Sequence, residues 1–138
     1  MMYYNEVDTK PLKWHVIYYE DFKGCSEVFD FVEKGRDREK AKILALLAVL
    51  EEQGPQLPRP YADFLVDGIH ELRIKLSGNQ VRILYFFCYR DFIILTNIFV
   101  KTSDKVPVKE INKAKLLRAD FLRRFNEQSL RRTTNENT

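Results

Sequence analysis

The chain reads as an α+β domain built on a mainly antiparallel sheet, with its elements in the order β-α-α-β-β-β-α. Three observations lead there. Two segments with helically spaced apolar residues come early, three strand-like runs follow in close succession, and one amphipathic helix ends the pattern. Strands grouped after helices argue for an α+β architecture rather than a doubly wound one. At 138 residues, with 45% hydrophobic and 13% aromatic residues, the chain supports one domain with a real core and is too apolar for wholesale disorder.

Residues 1–12 read as a flexible lead-in ending near Pro11, and the domain proper as 13–128. Trp14 to Tyr19 is β-branched and aromatic, which predicts a strand. Asp21-Phe-Lys-Gly24 is turn material. Ser26 suits the N-cap of a short helix through Lys34, with Gly35 at its end. Asp37 is placed to cap a second helix to Gln53, whose stripe of Ala41, Leu44, Ala45, Leu47 and Ala48 is widened by Ile43, Leu46 and Leu50. Gly54-Pro55 stops it. Residues 54–67 carry Pro55, Pro58 and Pro60 and read as an ordered loop. Strands are expected over about 69–76, 80–88 and 92–100. Pro107 opens the last helix, on which Ile111, Ala114, Leu117, Phe121 and Phe125 form one stripe. Residues 129–138 are a polar tail expected to fray.

Several function classes are disfavoured. The longest mainly apolar stretch, Ile43 to Leu50, is far too short to cross a bilayer. Met1 to Glu6 lacks a basic-then-apolar secretory pattern, so a cytoplasmic location is expected, without membrane association. Cys25 and Cys88 make neither a disulfide framework nor a metal motif, and no phosphate loop, zinc spacing or nucleophile elbow occurs; no cofactor and no metal are expected. His15 and His70 read as packed or surface residues, and Tyr85 as structural. The net charge of +3 hides an asymmetry. Residues 1–67 hold 9 Lys/Arg against 13 Asp/Glu, whereas residues 68–138 hold 14 against 7. A basic second half favours a polyanion or an acidic protein partner.

The segment Glu71-Leu-Arg-Ile-Lys-Leu-Ser-Gly-Asn-Gln-Val-Arg-Ile-Leu-Tyr85 reads as a hairpin. Alternation puts Glu71, Arg73 and Lys75 on one strand face, and Leu72, Ile74 and Leu76 on the other. With Gly78-Asn79 as a two-residue turn, Ser77 pairs with Gln80, Lys75 faces Arg82, and Arg73 faces Leu84. With Arg90-Asp91 as a second turn, Tyr89 pairs with Phe92, Arg82 with Phe99, and Leu84 with Asn97. Arg73, Lys75, Arg82, Asn97 and Lys101 then converge at one end of one face. That face continues into Leu84, Phe86, Ile93 and Leu95, an apolar end for the last helix to cover. The opposite face takes Leu72, Ile74, Leu76, Val81, Ile83, Tyr85, Ile94, Thr96, Ile98 and Val100, under the first two helices. Opposed like charges destabilise a sheet, which implies an anion between them, with a nucleic-acid phosphate the first candidate. On this register Arg82→Ala relieves repulsion and is expected to be no less stable.

These residues carry a resemblance. Trp-His-Val-Ile-Tyr-Tyr-Glu-Asp at 14–21, Phe29-Asp-Phe-Val32, Glu71-Leu-Arg-Ile with Val81-Arg-Ile-Leu-Tyr-Phe86, Phe99-Val-Lys-Thr102, and Pro107 with Glu110-Ile111 and Ala114 occur in the order found in one group. The chain resembles the RelE/HigB superfamily of type II toxins, in its branch of phage-derived proteins. The resemblance implies a RelE-like sheet flanked by helices, and a helix-turn-helix antitoxin encoded beside the toxin. It also implies metal-independent cleavage of mRNA on the ribosome, through attack of the RNA 2′-hydroxyl on the adjacent phosphate. Carried over, Arg73 and Arg82 would grip the scissile phosphate, Lys75 would orient or help deprotonate the 2′-hydroxyl, and Lys101 would hold phosphate or assist the leaving oxygen. Asn97, Lys105 and Lys109 would contact RNA. The chain departs from the pattern in having Thr102 after Lys101, and Val106 before Pro107, which moves the helix cap to Ser103 or Asp104. No histidine lies near the cluster. The alternative is a non-enzymatic interaction module of the same fold, either a gyrase-inhibiting ParE-like toxin or an inactive phage-derived protein.

Overall fold

A computed structural model describes residues 13–136. The expectation for the lead-in, residues 1–12, lies outside them. The elements are β1 (His15–Tyr18), α1 (Glu27–Lys34), α2 (Asp37–Gln53), a 3-10 turn (Gly54–Gln56), β2 (Ala62–Val66), β3 (Ile69–Leu76), β4 (Asn79–Cys88), β5 (Phe92–Lys101), α3 (Val108–Arg124) and α4 (Glu127–Glu136). The fold is α+β, with one five-stranded sheet in the order β1-β5-β4-β3-β2. Only β1 runs parallel to its neighbour, β5; the other pairings are antiparallel.

The early helices form where expected, but α2 buries Ile43, Leu47 and Leu50, while Ala41, Leu44, Ala45 and Ala48 of the expected stripe are exposed. Ser26 Oγ accepts the Phe29 amide at 3.2 Å and caps α1. Asp37 is the first residue of α2 rather than its cap; Arg36 holds the cap position without a side-chain bond. In the first turn a carboxylate still favours the positive helix end. Gly54 ends α2 at φ +53, and a Cβ there would lie 2.3 Å from the Trp14 indole nitrogen, so this close approach requires glycine.

Two elements were not legible. Residues 62–66, inside the proline-rich loop, form β2 on the sheet edge beside β3. Five residues straight after two prolines carry too little pattern to stand out, and β3 supplies the pairing. The tail from 129 does not fray up to residue 136 but is helical in α4. There Leu130 is buried, and Arg131 bonds the Asp91 carboxylate at 2.6 Å and the Tyr89 carbonyl at 3.0 Å. At α3, Pro107 is the cap residue and no side chain caps, so neither Ser103 nor Asp104 serves; Ser103 Oγ donates to the Lys105 carbonyl instead.

The strand register differs from expectation in two places. Leu76 pairs with Asn79, so the β3–β4 turn is Ser77-Gly78, both at positive φ (51° and 86°). That is the backbone of a type I′ hairpin turn. Every β3–β4 pairing moves by two residues and no side chain changes face. Arg73 therefore lies opposite Arg82, and Lys75 opposite Gln80. Between β4 and β5 the loop is three residues, Tyr89 to Asp91, with Tyr89 and Arg90 at positive φ. A bulge at Thr96 absorbs the extra residue, so Arg82–Phe99 and Leu84–Asn97 pair as expected.

Between bulge and loop the side chains of β5 exchange faces. Ile93 and Leu95 join Leu72, Ile74, Val81, Ile83 and Tyr85 beneath α1 and α2, where Val28, Val32, Ile43, Leu47 and Leu50 complete the core. Ile94 and Phe92 join Ile69, Leu84 and Phe86 beneath α3 and α4, with Ala114, Phe121 and Leu130. The expected placement of Ile93, Leu95 and Ile94 is thus reversed, because the bulge adds one residue to a two-residue repeat. Thr96, expected in the core face, holds the bulge: its Oγ lies 3.1 Å from the Leu84 carbonyl and 2.6 Å from Asn97 Oδ1. Among the described residues no helix is long and apolar enough to cross a membrane.

His70, on β3, stacks on Tyr85 (5.3 Å between ring centres) and meets the edges of Phe64 and Phe87. Burial pushes its pKa below the ordinary 6.5, against a weaker upward pull from Asp63. The unfolded chain therefore takes up this proton first as pH falls. The stability His70 confers is complete above pH 6.5 and is lost as pH drops through the folded-state value. The denaturation midpoint should accordingly fall between about pH 7 and about pH 5, and less so in His70→Phe. Equal acid sensitivity of the two proteins would refute this.

Candidate functional site: a cationic sheet face with an internal anion

Alternation puts Glu71, Arg73 and Lys75 of β3 beside Gln80 and Arg82 of β4 on the face that carries α3 further along. Arg73 and Arg82 are directly opposed, an arrangement that repulsion alone would forbid. The anion between them is internal. The Glu71 carboxylate, 2% exposed, accepts Arg73 Nε at 3.0 Å through Oε2. Its Oε1 lies 3.2 Å from Arg82 Nε. That second contact is an ion pair without hydrogen-bond alignment, which leaves Oε1 and Nε as buried atoms with no hydrogen-bond partner. Asp63 extends the network from β2, taking Arg73 at 3.1 Å and Arg59 at 2.9 Å, and these arginines hold its carboxyl below the usual carboxylate range.

Arg82 is only 5% exposed. Its terminal nitrogens donate to the Val81 carbonyl at 3.2 Å and to Gln80 Oε1 at 2.9 Å. Burial lowers its pKa and Glu71 opposes this, but a guanidinium stays protonated throughout the working range. Arg73 is half-buried, whereas Lys75 and Gln80 are exposed. Pro60, Arg73, Ile74, Lys75, Gln80 and Arg82 line a depression of about 270 Å³. A neighbouring depression of about 310 Å³ is lined by Gln80, Lys101, Thr102, Ser103 and Asp104. Gln80 borders both, between Lys75 on β3 and Lys101 on β5.

The fold thus brings Arg73, Lys75 and Arg82 around one depression and Lys101 into the next. It does not add the other three expected RNA contacts. Asn97 is fully buried, and its Nδ2 donates to Glu110 Oε1 at 3.0 Å and the Glu110 carbonyl at 3.2 Å, anchoring the start of α3 to β5. Lys105 and Lys109 are exposed but line neither depression. Glu71, Asp63 and Gln80 were missed as members of the cluster. Glu71 was readable, since Glu71-x-Arg73 places acid and base on one strand face; Asp63 was not, because β2 was not.

The electrostatics reverse the expected effect of Arg82→Ala. Relief of repulsion is small beside the cost of stranding a buried carboxylate. Removing one partner of a buried pair costs about 3–5 kcal/mol. Arg82→Ala should lower unfolding free energy on that scale, while exposed Lys75→Ala should stay within about 0.5 kcal/mol of wild type. Chemical denaturation checks both, and a fully stable Arg82→Ala protein would show that Glu71 does not depend on it.

Comparison with known proteins agrees with one part of the sequence reading. No curated protein matches the chain. The family model described as "Phage derived protein Gp49-like (DUF891)" matches residues 30–118, a span from α1 through most of α3 that includes both depressions. On that match the chain belongs to the Gp49-like family of phage-derived proteins.

Proposed function

We propose that this protein is the toxin of a type II toxin–antitoxin pair, of RelE/HigB kind, and that it cuts ribosome-bound mRNA. The observation that carries this reading is the grouping of Arg73, Lys75 and Arg82 around one depression, with Lys101 across Gln80. Membership of the Gp49-like family supports it. In the reaction the RNA 2′-oxygen bonds to the adjacent phosphorus as the bond to the 5′-oxygen breaks, leaving a 2′,3′-cyclic phosphate and a 5′-hydroxyl. Negative charge builds on the non-bridging oxygens, and fixed cations stabilise it without reorganising. Arg73 and Arg82 supply planar donors for those oxygens. Lys75, exposed at the rim, would orient the attacking hydroxyl or help remove its proton, and Lys101 would hold phosphate or assist the 5′-oxygen as it leaves and takes up a proton. A helix-turn-helix antitoxin encoded alongside would cover this face or block ribosome entry.

One observation favours a non-enzymatic reading. Glu71 and Asp63 already neutralise much of the arginine charge, as a purely structural network would. A reconstituted translation system separates the two. Wild-type protein should cleave mRNA, and Lys75→Ala, with its fold undisturbed, should lose about 10²–10³ in rate. Intact mRNA together with inhibited gyrase supercoiling would establish the ParE-like alternative instead. Expression of the chain alone should arrest growth, and co-expression of the neighbouring helix-turn-helix gene should restore it.

A further inference from the structure

Arg82 poses a problem for any phosphate-binding role, because it is 5% exposed and its terminal nitrogens are already engaged. Arg82 nonetheless borders the depression lined by Lys75, and one of the side chains that engage it there is itself exposed. Gln80 sits two residues before Arg82 on the same strand face, and its Oε1 takes an Arg82 terminal N–H at 2.9 Å. Register places it midway between Lys75 and Lys101. It is also the one residue shared by the linings of the two depressions. At the other end of the guanidinium, Nε faces Glu71 Oε1 at 3.2 Å, an ion pair that holds the base of the side chain while its tip meets Gln80.

We propose that Gln80 is a gate on the anion site, closed in the free protein and displaced by the phosphate that binds there. This rests on the reading that the face takes an RNA phosphate. The amide oxygen of Gln80 stands where a phosphate oxygen would sit on Arg82. An amide is a neutral acceptor, and a phosphate oxygen carrying charge makes the stronger bond to a guanidinium. Exchange is therefore downhill once a phosphate is held by Lys75 or Lys101. As a surface side chain, Gln80 can rotate away without disturbing the core. Its departure bares Arg82 and joins the two depressions into one groove, with Lys75, Arg82 and Lys101 along it. The gate makes Arg82 available only to a ligand that is already docked, which favours a polyanion spanning both depressions over a single small anion.

The test uses the folded full chain and a 2′-O-methyl RNA oligonucleotide, which binds but cannot be cut. Fluorescence anisotropy gives affinity, and phenylglyoxal labelling of Arg82, read by mass spectrometry, gives its accessibility. Gln80→Ala should bind the oligonucleotide about two- to tenfold more tightly, the scale of one hydrogen bond no longer to be broken. In the same variant Arg82 should label faster than in wild type, and bound oligonucleotide should protect it. Weaker binding by Gln80→Ala would make Gln80 a ligand of the phosphate rather than a gate. Unchanged Arg82 labelling would likewise overturn the gate, because something else would then be covering the guanidinium. Lys75→Ala separates the two levels of inference: if it weakens wild-type binding while Gln80→Ala changes nothing, the RNA reading stands and the gate falls. Failure of every protein to bind the oligonucleotide would remove the RNA reading, and the gate with it.

Discussion

The Glu71 carboxylate is the constraint on which the cationic face depends. Taking a carboxylate out of water costs several kcal/mol even after relaxation. Glu71 is accommodated at 2% exposure because two guanidinium groups reach it, one from its own strand and one from the next. The same contact lets Arg73 and Arg82 stand directly opposed on adjacent strands. It therefore also fixes register: a slip of two residues would move Arg82 from Arg73 to face Lys75 or Glu71 and break the three-way pairing. The Ser77-Gly78 turn, with both residues at positive φ, selects that register independently. Local turn geometry and long-range charge pairing agree, as consistency across levels requires of a well-specified fold.

A second constraint decides what the sheet offers to solvent. The three-residue loop at Tyr89 to Asp91 and the bulge at Thr96 together exchange the faces of β5 for only part of its length. Near the loop, Phe92 and Ile94 feed the layer under α3 and α4. Beyond the bulge, Asn97 Nδ2 donates to the Glu110 carbonyl and carboxylate, while its Oδ1 faces Thr96; this fixes where α3 begins. Helix α3 then covers the end of the face with Ile69, Leu84 and Phe86. The other end, with Arg73, Lys75, Gln80 and Lys101, stays accessible. The same bulge thus helps to bury one end of the face and to leave the other open.

The cations on that open end differ in exposure. Arg82 lies at the floor, Arg73 is half-buried and tied to Glu71 and Asp63, and Lys75 is exposed at the rim. Rim charges steer and hold a polyanion through long-range attraction, which weakens with salt. Buried, prealigned donors act on charge that develops close to them. The Gp49-like family match covers this whole arrangement, from α1 into α3.

The order of most elements, the alternation of β3 and β4, and the grouping of Arg73, Lys75 and Arg82 on one face were determined by the sequence itself. Each rests on a period of two or 3.6 residues, which survives a register error of two. Ser26, Gly54 and Pro107 marked helix ends through the same local chemistry. What needed the tertiary structure was whatever depends on a partner distant in the chain. β2 exists because β3 pairs with it, and α4 because Leu130 and Arg131 find the sheet's loop end. The bulge at Thr96 left no local signal, and a single added residue reversed the faces of Ile93, Ile94 and Leu95. The fate of the opposed cations was likewise decided by distance: the sequence set Lys75 against Arg82 and called for an anion, and only the packed fold put Arg73 opposite Arg82, with Glu71 already between them and Asp63 on Arg73.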